Sequence, residues 1–223
     1  MHLILFLLWM GAPGNDLEHA RDAQDRAALE RMTAQLGAEA QKQSHDAAAQ
    51  YRYALAESYL AEVAIEQRDK NLAHNAAEAG IKAAQRAAAL KPDDSEYHRI
   101  YGTLCGQAVS ANFLQGMKYG KCAQEEVNKA VELDPKSAMN YLSQGVGNYY
   151  LPPALGGGLE LAVKDFQKAI ELQPKLAEAH LWLGLALRKE NRNADARREF
   201  QRALELNPAS LWTKEQLSKT PGS

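Results

Sequence analysis

The sequence lacks an excess of charge of either sign. It contains 26 Lys and Arg residues against 28 Asp and Glu residues, and the two signs alternate along the chain instead of forming blocks. Nucleic acids and anionic membrane surfaces are bound through basic stripes or patches, which this sequence does not contain. The charge pattern therefore predicts neither a nucleic-acid-binding protein nor one that binds membranes through charge.

Strand patterns and membrane-spanning runs are also missing. No segment alternates Val, Ile or Thr with polar residues, as half-buried strands do. The apolar run at residues 3–10 is far shorter than the roughly 20 residues needed to cross a bilayer. What dominates instead is Ala together with Glu, Lys, Gln and Arg, which all favour helices. The composition predicts an all-α protein without an integral membrane span.

Residues 1–14 differ in composition from the rest of the chain. The apolar run is followed by small residues and a proline, which is the order found in a signal peptide and its cleavage site. This order predicts a periplasmic or secreted protein, and no cysteine near the cleavage point would carry a lipid anchor. Because the first residues include no Lys or Arg, a misassigned start codon or a buried first helix remain as alternatives to the signal peptide. A cytoplasmic location is the alternative to export.

Four segments share one proline-terminated pattern, with the sequences AALKP, VELDP, IELQP and LELNP. They end at Pro92, Pro135, Pro174 and Pro208. Counting back from Pro208 by fixed steps reaches Ala203, Phe200 and Ala196, and the same steps from the other three prolines again reach small or apolar residues. Such agreement predicts an internal repeat.

The last two prolines are 34 residues apart, which is the period of the tetratricopeptide repeat, and residues 177–208 resemble the consensus of that family. His180 stands where the family usually has Trp. Gly184 and Ala196 are small so that two antiparallel helices can approach closely, and Pro208 ends the second helix. The resemblance implies an α-solenoid of antiparallel helix pairs, with about eight or nine helices in this chain.

The pattern divides the remaining chain into three parts. Residues 15–48 are predicted to form an N-terminal helical cap or a degenerate repeat, residues 49–208 the repeats, and residues 209–223 a C-terminal capping helix and tail. The repeats ending at Pro135 and Pro174 exceed 34 residues. In the second of these, the extra residues fall in the segment YYLPPALGGG, whose glycines permit positive φ.

The whole arrangement resembles tetratricopeptide proteins of bacterial envelopes in which one repeat carries an aromatic-Pro-Gly-Gly loop. More distantly, it is similar to the T components of tripartite periplasmic transporters. Both resemblances imply binding and not catalysis.

No catalytic, cofactor or metal site is predicted. The six histidines are scattered, and none is spaced from another His, Cys or carboxylate as metal ligands are. The segment GMKYGK has the wrong glycine spacing for a phosphate-binding loop. Cys105 and Cys122 are predicted at similar heights in one helical hairpin, since Gly102 should face Ala123 across it. A disulfide in an oxidising compartment is one interpretation, and two separate buried thiols are the other.

Solenoids of this family bind ligands along the groove lined by the first helices of successive repeats. Some members hold a peptide carboxylate there with Lys, Asn and Arg, but Arg99, with Thr103 beside it, is the only charged match here. Toward the C-terminal half the predicted groove is apolar and is edged by Arg188. Its predicted lining residues are Met139, Leu142, Val146, Tyr149, Leu181 and Leu185. The alternative is that the inserted loop or the C-terminal helix folds over these residues and buries them.

The sequence therefore predicts a non-catalytic scaffold in the bacterial cell envelope, which binds a peptide or amphipathic segment of an unidentified protein in an apolar concave groove. The alternative function is a periplasmic carrier of a small or lipid-like ligand associated with a transporter.

Overall fold

The computed structural model describes residues 13–222 of the chain. Within that range there are eleven α-helices and no strand. The helices are α1 (Pro13–Asp22), α2 (Arg26–Lys42), α3 (Ala47–Glu66), α4 (Lys70–Leu90), α5 (Ser95–Ala111), α6 (Gly116–Leu133), α7 (Ala138–Tyr150), α8 (Leu159–Leu172), α9 (Ala177–Lys189), α10 (Asn193–Leu206) and α11 (Leu211–Ser218). In this described part of the chain, no helix is both long and apolar enough to cross a membrane.

The predicted all-α architecture is confirmed, but the predicted count of eight or nine helices is wrong. The helix without any sequence-based prediction is α1, in which only Leu17 and Ala20 are buried apolar residues, too few to form a recognisable stripe. Gln24, with a φ of 50°, separates α1 from α2. The predicted signal peptide lies outside the described residues except for Pro13 and Gly14, which begin α1.

Local signals explain where the helices begin and end. Four of them, α2 to α5, start behind an aspartate whose carboxylate accepts a hydrogen bond from a backbone N–H of the first turn. These N-caps are Asp25, Asp46, Asp69 and Asp94. The second helices of the four pairs, α4, α6, α8 and α10, each end two residues before a proline of the repeat pattern.

Glycines let the paired helices approach closely in the last two repeats. A Cβ atom on Gly145 of α7 would lie 2.5 Å from the Phe166 ring of α8, and one on Gly184 of α9 would lie 2.7 Å from the Phe200 ring of α10. Both phenylalanines are fully buried. The close approach predicted at Gly184 is therefore confirmed, and the two repeats use the same glycine–phenylalanine contact.

The two longer repeats accommodate their extra residues differently. The α5–α6 pair has longer helices than the α7–α8 pair, with a one-turn 3-10 helix at Phe113–Gln115 between them. The α7–α8 pair keeps short helices and carries its extra residues in a loop with a second 3-10 turn at Pro153–Leu155. There Gly156 and Gly158 have φ values of 87° and 119°, as the glycine-rich sequence predicts.

A disulfide joins the helices of the α5–α6 pair. It links Cys105 of α5 to Cys122 of α6, with their Cα atoms 6.0 Å apart. Cys105 is completely buried in the N-terminal core, against which Cys122 packs. Gly102 lies one turn before Cys105 and packs against Val127 and the Ala123 carbonyl of α6, which sets the register of this pair.

Candidate functional site

The leucines predicted to line an apolar groove lie in the core. Leu142, Leu181 and Leu185 are only 6%, 6% and 5% exposed. They belong to a cluster to which α11 contributes Trp212 and Leu217. The prediction that these three leucines form an open slot is therefore corrected, because the C-terminal helix packs onto the same core.

The polar residues predicted for the groove hold helices together. Arg99 of α5 is 6% exposed, forms a bidentate ion pair with Glu96 and donates a 3.3 Å hydrogen bond to the Ser143 hydroxyl of α7. Thr103 donates to the same hydroxyl at 3.3 Å. The two residues therefore fasten α5 to α7, and neither is free to bind a partner's charge.

Arg188 at the end of α9 has a comparable structural role. It donates hydrogen bonds to the side chain of Gln216 at 2.7 Å and to the Gln216 carbonyl at 3.1 Å, and so holds α11 against α9. Met139 and Val146 are half-buried against the C-terminal core. Of the predicted groove residues, Tyr149 is the one that takes part in a partly exposed surface cluster.

That cluster consists of four aromatic side chains from three helices, Tyr149, Tyr150, Trp182 and Trp212. Tyr149 and Tyr150 of α7 meet edge to face with ring centroids 5.0 Å apart, and Trp182 of α9 lies 5.7 Å from Tyr149. Trp212 of α11 contacts Trp182 at 5.5 Å, also edge to face. Tyr150 is 56% exposed, so the cluster presents an aromatic surface to solvent.

The helix α1 lies on the concave side of the solenoid. Leu17 and Ala20 are buried in the N-terminal core, and the Arg21 guanidinium lies 4.8 Å from the centre of the Tyr59 ring of α3. The same guanidinium donates a 2.7 Å hydrogen bond to Glu178 at the start of α9. Because α5 and α7 separate α3 from α9 in the stack, a side chain that reaches both must cross the concave side.

A second contact also joins α1 to the C-terminal half. Asn207, which follows α10, donates a 2.7 Å hydrogen bond to the Asp22 carboxylate at the end of α1. Arg21 and Asp22 share one cleft with Leu181, Trp212 and Thr213. The first helix of the described chain therefore packs against α2 and α3, and its polar side chains reach the last repeat.

Two glutamates of α3, one helical turn apart, form the acidic wall of this cleft. Burial, and then the charge of Glu62, raises the pKa of the Glu66 carboxyl to about 8. Burial also raises the pKa of Glu62, although Arg21 acts in the opposite direction. Glu66 accepts a 2.7 Å hydrogen bond from the Gln24 amide. A cationic group placed at this wall would lower both pKa values, as Arg21 does, and would so favour the ionised carboxylates.

The charge of Arg21 is fixed by these neighbours. Burial by itself lowers the pKa of a guanidinium, but the negative potential of Glu62 and Glu178 raises the pKa of Arg21 well above its ordinary value. The concave side thus combines an acidic wall on α3 with an aromatic surface on α7 and α9. Such a surface suits the basic, amphipathic face of a helix.

The sequence does not predict four members of this site, namely Glu62, Glu66, Arg21 and Trp182. One signal was available, since Glu62 and Glu66 are spaced by one turn on a helix whose other residues are largely Ala, Leu, Val and Tyr. Carboxylates on an otherwise apolar helix indicate either that a basic group pairs with them or that this face of the helix is exposed to solvent. No local pattern indicates that Arg21 lies beside them.

Comparison with known proteins identifies two kinds of sequence in the chain. Residues 16–151 match the family model described as "Regulator of microtubule dynamics protein 1-3". Residues 155–189 and 177–210 match two tetratricopeptide-repeat models. These two matches confirm the predicted resemblance to tetratricopeptide repeats, over residues 155–210. Among the curated proteins, none matches the chain.

Solved structures similar to this chain include tetratricopeptide proteins of low sequence identity. TTC0263 from Thermus thermophilus is 16% identical with a TM-score of 0.63, and the match covers 94% of this chain and 98% of that one. MamA from Desulfovibrio magneticus RS-1 is 18% identical with a TM-score of 0.47, over 91% of this chain and 99% of that one. The likeness to TTC0263 shows the fold alone.

Proposed function

Because the chain belongs to the regulator of microtubule dynamics protein 1-3 family, which its residues 16–151 match, and also carries tetratricopeptide repeats, we propose that it is a non-catalytic scaffold. Its concave face binds an amphipathic segment of a partner protein. The family description concerns microtubule dynamics in the proteins so named, whereas the proposal for this chain rests on its own surface.

One observation carries the proposal: the concave side already holds an amphipathic helix. In α1, Leu17 and Ala20 face the core while Arg21 reaches Tyr59 and Glu178. A surface that packs one short helix through apolar and charged contacts has the chemistry to pack another of similar pattern.

The binding surface differs from the apolar slot that the sequence predicts. Its two components are the carboxylates of α3 and the aromatic cluster, in which Tyr150 is exposed and the other three rings are half-buried. Aromatic side chains are enriched where proteins bind one another, because they bury a large area at a low entropic cost. The partner segment should accordingly present basic and apolar side chains on one face.

We further propose that the protein acts in an oxidising compartment, such as the periplasm or the extracellular space. The Cys105–Cys122 disulfide supports this location, since disulfides persist mainly outside the reducing cytosol. The apolar segment at residues 3–10 supports it as well. Cell fractionation combined with thiol labelling tests the location, because a cytosolic protein with two free thiols would contradict it.

Site-specific photo-crosslinking in the native host tests the function. A photoreactive residue at Tyr150 should give a discrete adduct with a partner protein. The same residue at Arg198, whose side chain is 70% exposed on α10, serves as the control and should give none. Adducts from Arg198 but not from Tyr150 would overturn the concave-face proposal. A small molecule released on denaturation, without any protein adduct, would favour the carrier alternative.

A further inference from the structure

The aromatic cluster carries two hydrogen-bond donors that the described part of the protein does not use. The indole N–H groups of Trp182 and Trp212 donate to no acceptor within residues 13–222. Both side chains are half-buried, and neither indole nitrogen is among the fully buried polar atoms that lack a partner, so both reach solvent. The cluster therefore offers an incoming segment two donors as well as aromatic rings.

The four rings of the cluster are set at large angles to one another. The rings of Tyr149 and Tyr150 meet at 87°, and the Trp182 ring meets them at 73° and 75°. Trp212 meets Trp182 at 64°. Trp182 also stacks on the buried Phe166 ring at 27°, which fixes its orientation. Rings at such angles form shallow clefts between their faces instead of one flat apolar surface.

From the unused donors and the ring geometry we propose that the aromatic cluster binds a proline-rich segment of the partner protein in the polyproline II conformation. This inference rests on the proposed function, since it names the class of segment that the same concave face binds. Proline-rich segments dock in grooves lined by aromatic side chains. There the proline rings pack on the apolar faces of Tyr and Trp, whose polar groups remain available for hydrogen bonds.

The two indole donors favour this conformation over an α-helix. Carbonyl groups inside an α-helix accept hydrogen bonds from their own chain, so an α-helix packed on the cluster would leave both indole N–H groups without an acceptor. Burying donors in that way costs their desolvation. A polyproline II segment has no internal hydrogen bonds, and its carbonyl groups are therefore available to the indoles.

A proline-rich segment also meets the requirement for an amphipathic partner. Polyproline II has about three residues per turn, so every third side chain points to the same edge of the segment. Prolines on one edge can face the rings while polar and basic side chains occupy the other two edges. Because proline fixes this conformation in advance, the segment loses little conformational entropy on binding.

Fluorescence anisotropy with labelled decaproline tests the proposal on the full chain. We expect saturable binding that weakens about fivefold in a Trp182→Phe chain, which keeps a ring but loses the indole N–H. Tyr150→Ala removes the exposed ring of the cluster and should weaken binding by about fivefold as well. Tyr101→Phe is the matched control, because Tyr101 lies half-buried on α5 against the N-terminal core, and it should leave the Kd unchanged.

The indole resonances provide a second readout on the unaltered chain, which does not depend on how a variant folds. In proton–nitrogen correlation spectra, the indole signals of Trp182 and Trp212 should shift as decaproline is added, and the two Trp→Phe variants assign these signals. An α-helical peptide of Ala, Glu and Lys with the same length is the control probe. It should leave both indole signals unmoved at the same concentration.

The proposal is overturned if decaproline does not bind the unaltered chain, or if it binds without moving either indole signal. Binding that neither Trp182→Phe nor Tyr150→Ala weakens contradicts it too, as does a helical control peptide that moves the indole signals more than decaproline does. Photo-crosslinked adducts at Tyr150 in the native host would in each case still support the proposed function, so the two ideas fail separately.

Discussion

The Arg21 guanidinium donates a 2.7 Å hydrogen bond to the Glu178 carboxylate, across 157 positions of sequence. This ion pair joins α1 to the first helix of the last repeat. It turns an open stack of helix pairs into one whose concave side is bridged by its own N-terminal helix. The contact therefore has consequences both for stability and for access to the binding face.

Substitution of Arg21 by Ala should release α1 and lower the free energy of unfolding by about 1–3 kcal/mol, because it leaves the surrounding carboxylates without a counter-charge. Urea unfolding followed by circular dichroism measures the loss. Arg198→Ala provides the matched control, since it removes an ion pair whose arginine is 70% exposed and should change stability by less than about 0.5 kcal/mol. Equal losses in the two variants would show that Arg21 is not an anchor.

Stability should fall as the pH rises from 5 to 8. The pKa of Glu66 is raised from 4.5 to about 8, so the folded chain retains a proton in this range that the unfolded chain has released. The folded state is then favoured on the acidic side of the window and loses this advantage as Glu66 ionises. The charged groups that face Glu66 are Glu62, Arg21 and Glu215 of α11.

Urea midpoints at pH 5 and pH 8 measure this dependence. The Glu66→Gln variant keeps the shape of the side chain but cannot ionise, so its stability should change less between the two pH values than that of the unaltered chain. An equally steep fall in both proteins would assign the effect to other groups, such as Glu57, whose pKa burial raises to about 7.

Two glycines of α7 should respond to alanine in opposite ways. Gly145→Ala places a methyl group against the Phe166 ring and should destabilise the protein by about 1–3 kcal/mol. Gly147→Ala meets no neighbouring atom within 4 Å and should stabilise the helix by about 0.5–1 kcal/mol. Thermal unfolding of both variants compares the effects. Similar changes at the two positions would argue against the close packing of α7 on α8.

Reduction of the Cys105–Cys122 disulfide should lower the free energy of unfolding by about 3 kcal/mol, as expected for a loop closed across a separation of 17 residues. Unfolding curves with and without a reductant measure this change. A Cys105→Ala plus Cys122→Ala chain should be less stable than the oxidised protein and insensitive to the reductant. An unaltered midpoint on reduction would mean that the bond does not restrict the unfolded chain.

The repeats could be predicted from the sequence because their determinants are local. Gly184, Phe200 and Pro208 lie within one helical pair, and the same types recur at a fixed spacing. Contacts that recur in each helical pair require the same residue types at the same spacing, so they are visible as a repeat in the sequence. Register within a single pair likewise predicts that Cys105 and Cys122 lie at similar heights, because Gly102 packs against Ala123, but register alone leaves a disulfide and two separate thiols both open.

The candidate site could not be predicted in the same way, because it depends on how far the superhelix closes. Leu181 and Leu185 occupy groove positions by register, yet they belong to a core that α11 also packs onto. Arg21 can contact Glu178 only if the first and last repeats lie close together in the folded chain. The spacing of residues in the sequence does not predict the distance between these two repeats. The burial of Glu62 and Glu66 behind α1 has the same cause.

Hydrogen exchange of the unaltered chain and of the Arg21→Ala chain tests the central claim most directly, namely that α1 bridges the concave side through Arg21. We expect the amides of α1 to lose protection in the Arg21→Ala chain, while those of α3 between residues 55 and 66 keep it, because the substitution releases α1 alone. Unchanged protection of α1 in the Arg21→Ala chain would contradict the account, since contacts other than the Arg21–Glu178 ion pair would then hold α1 in place.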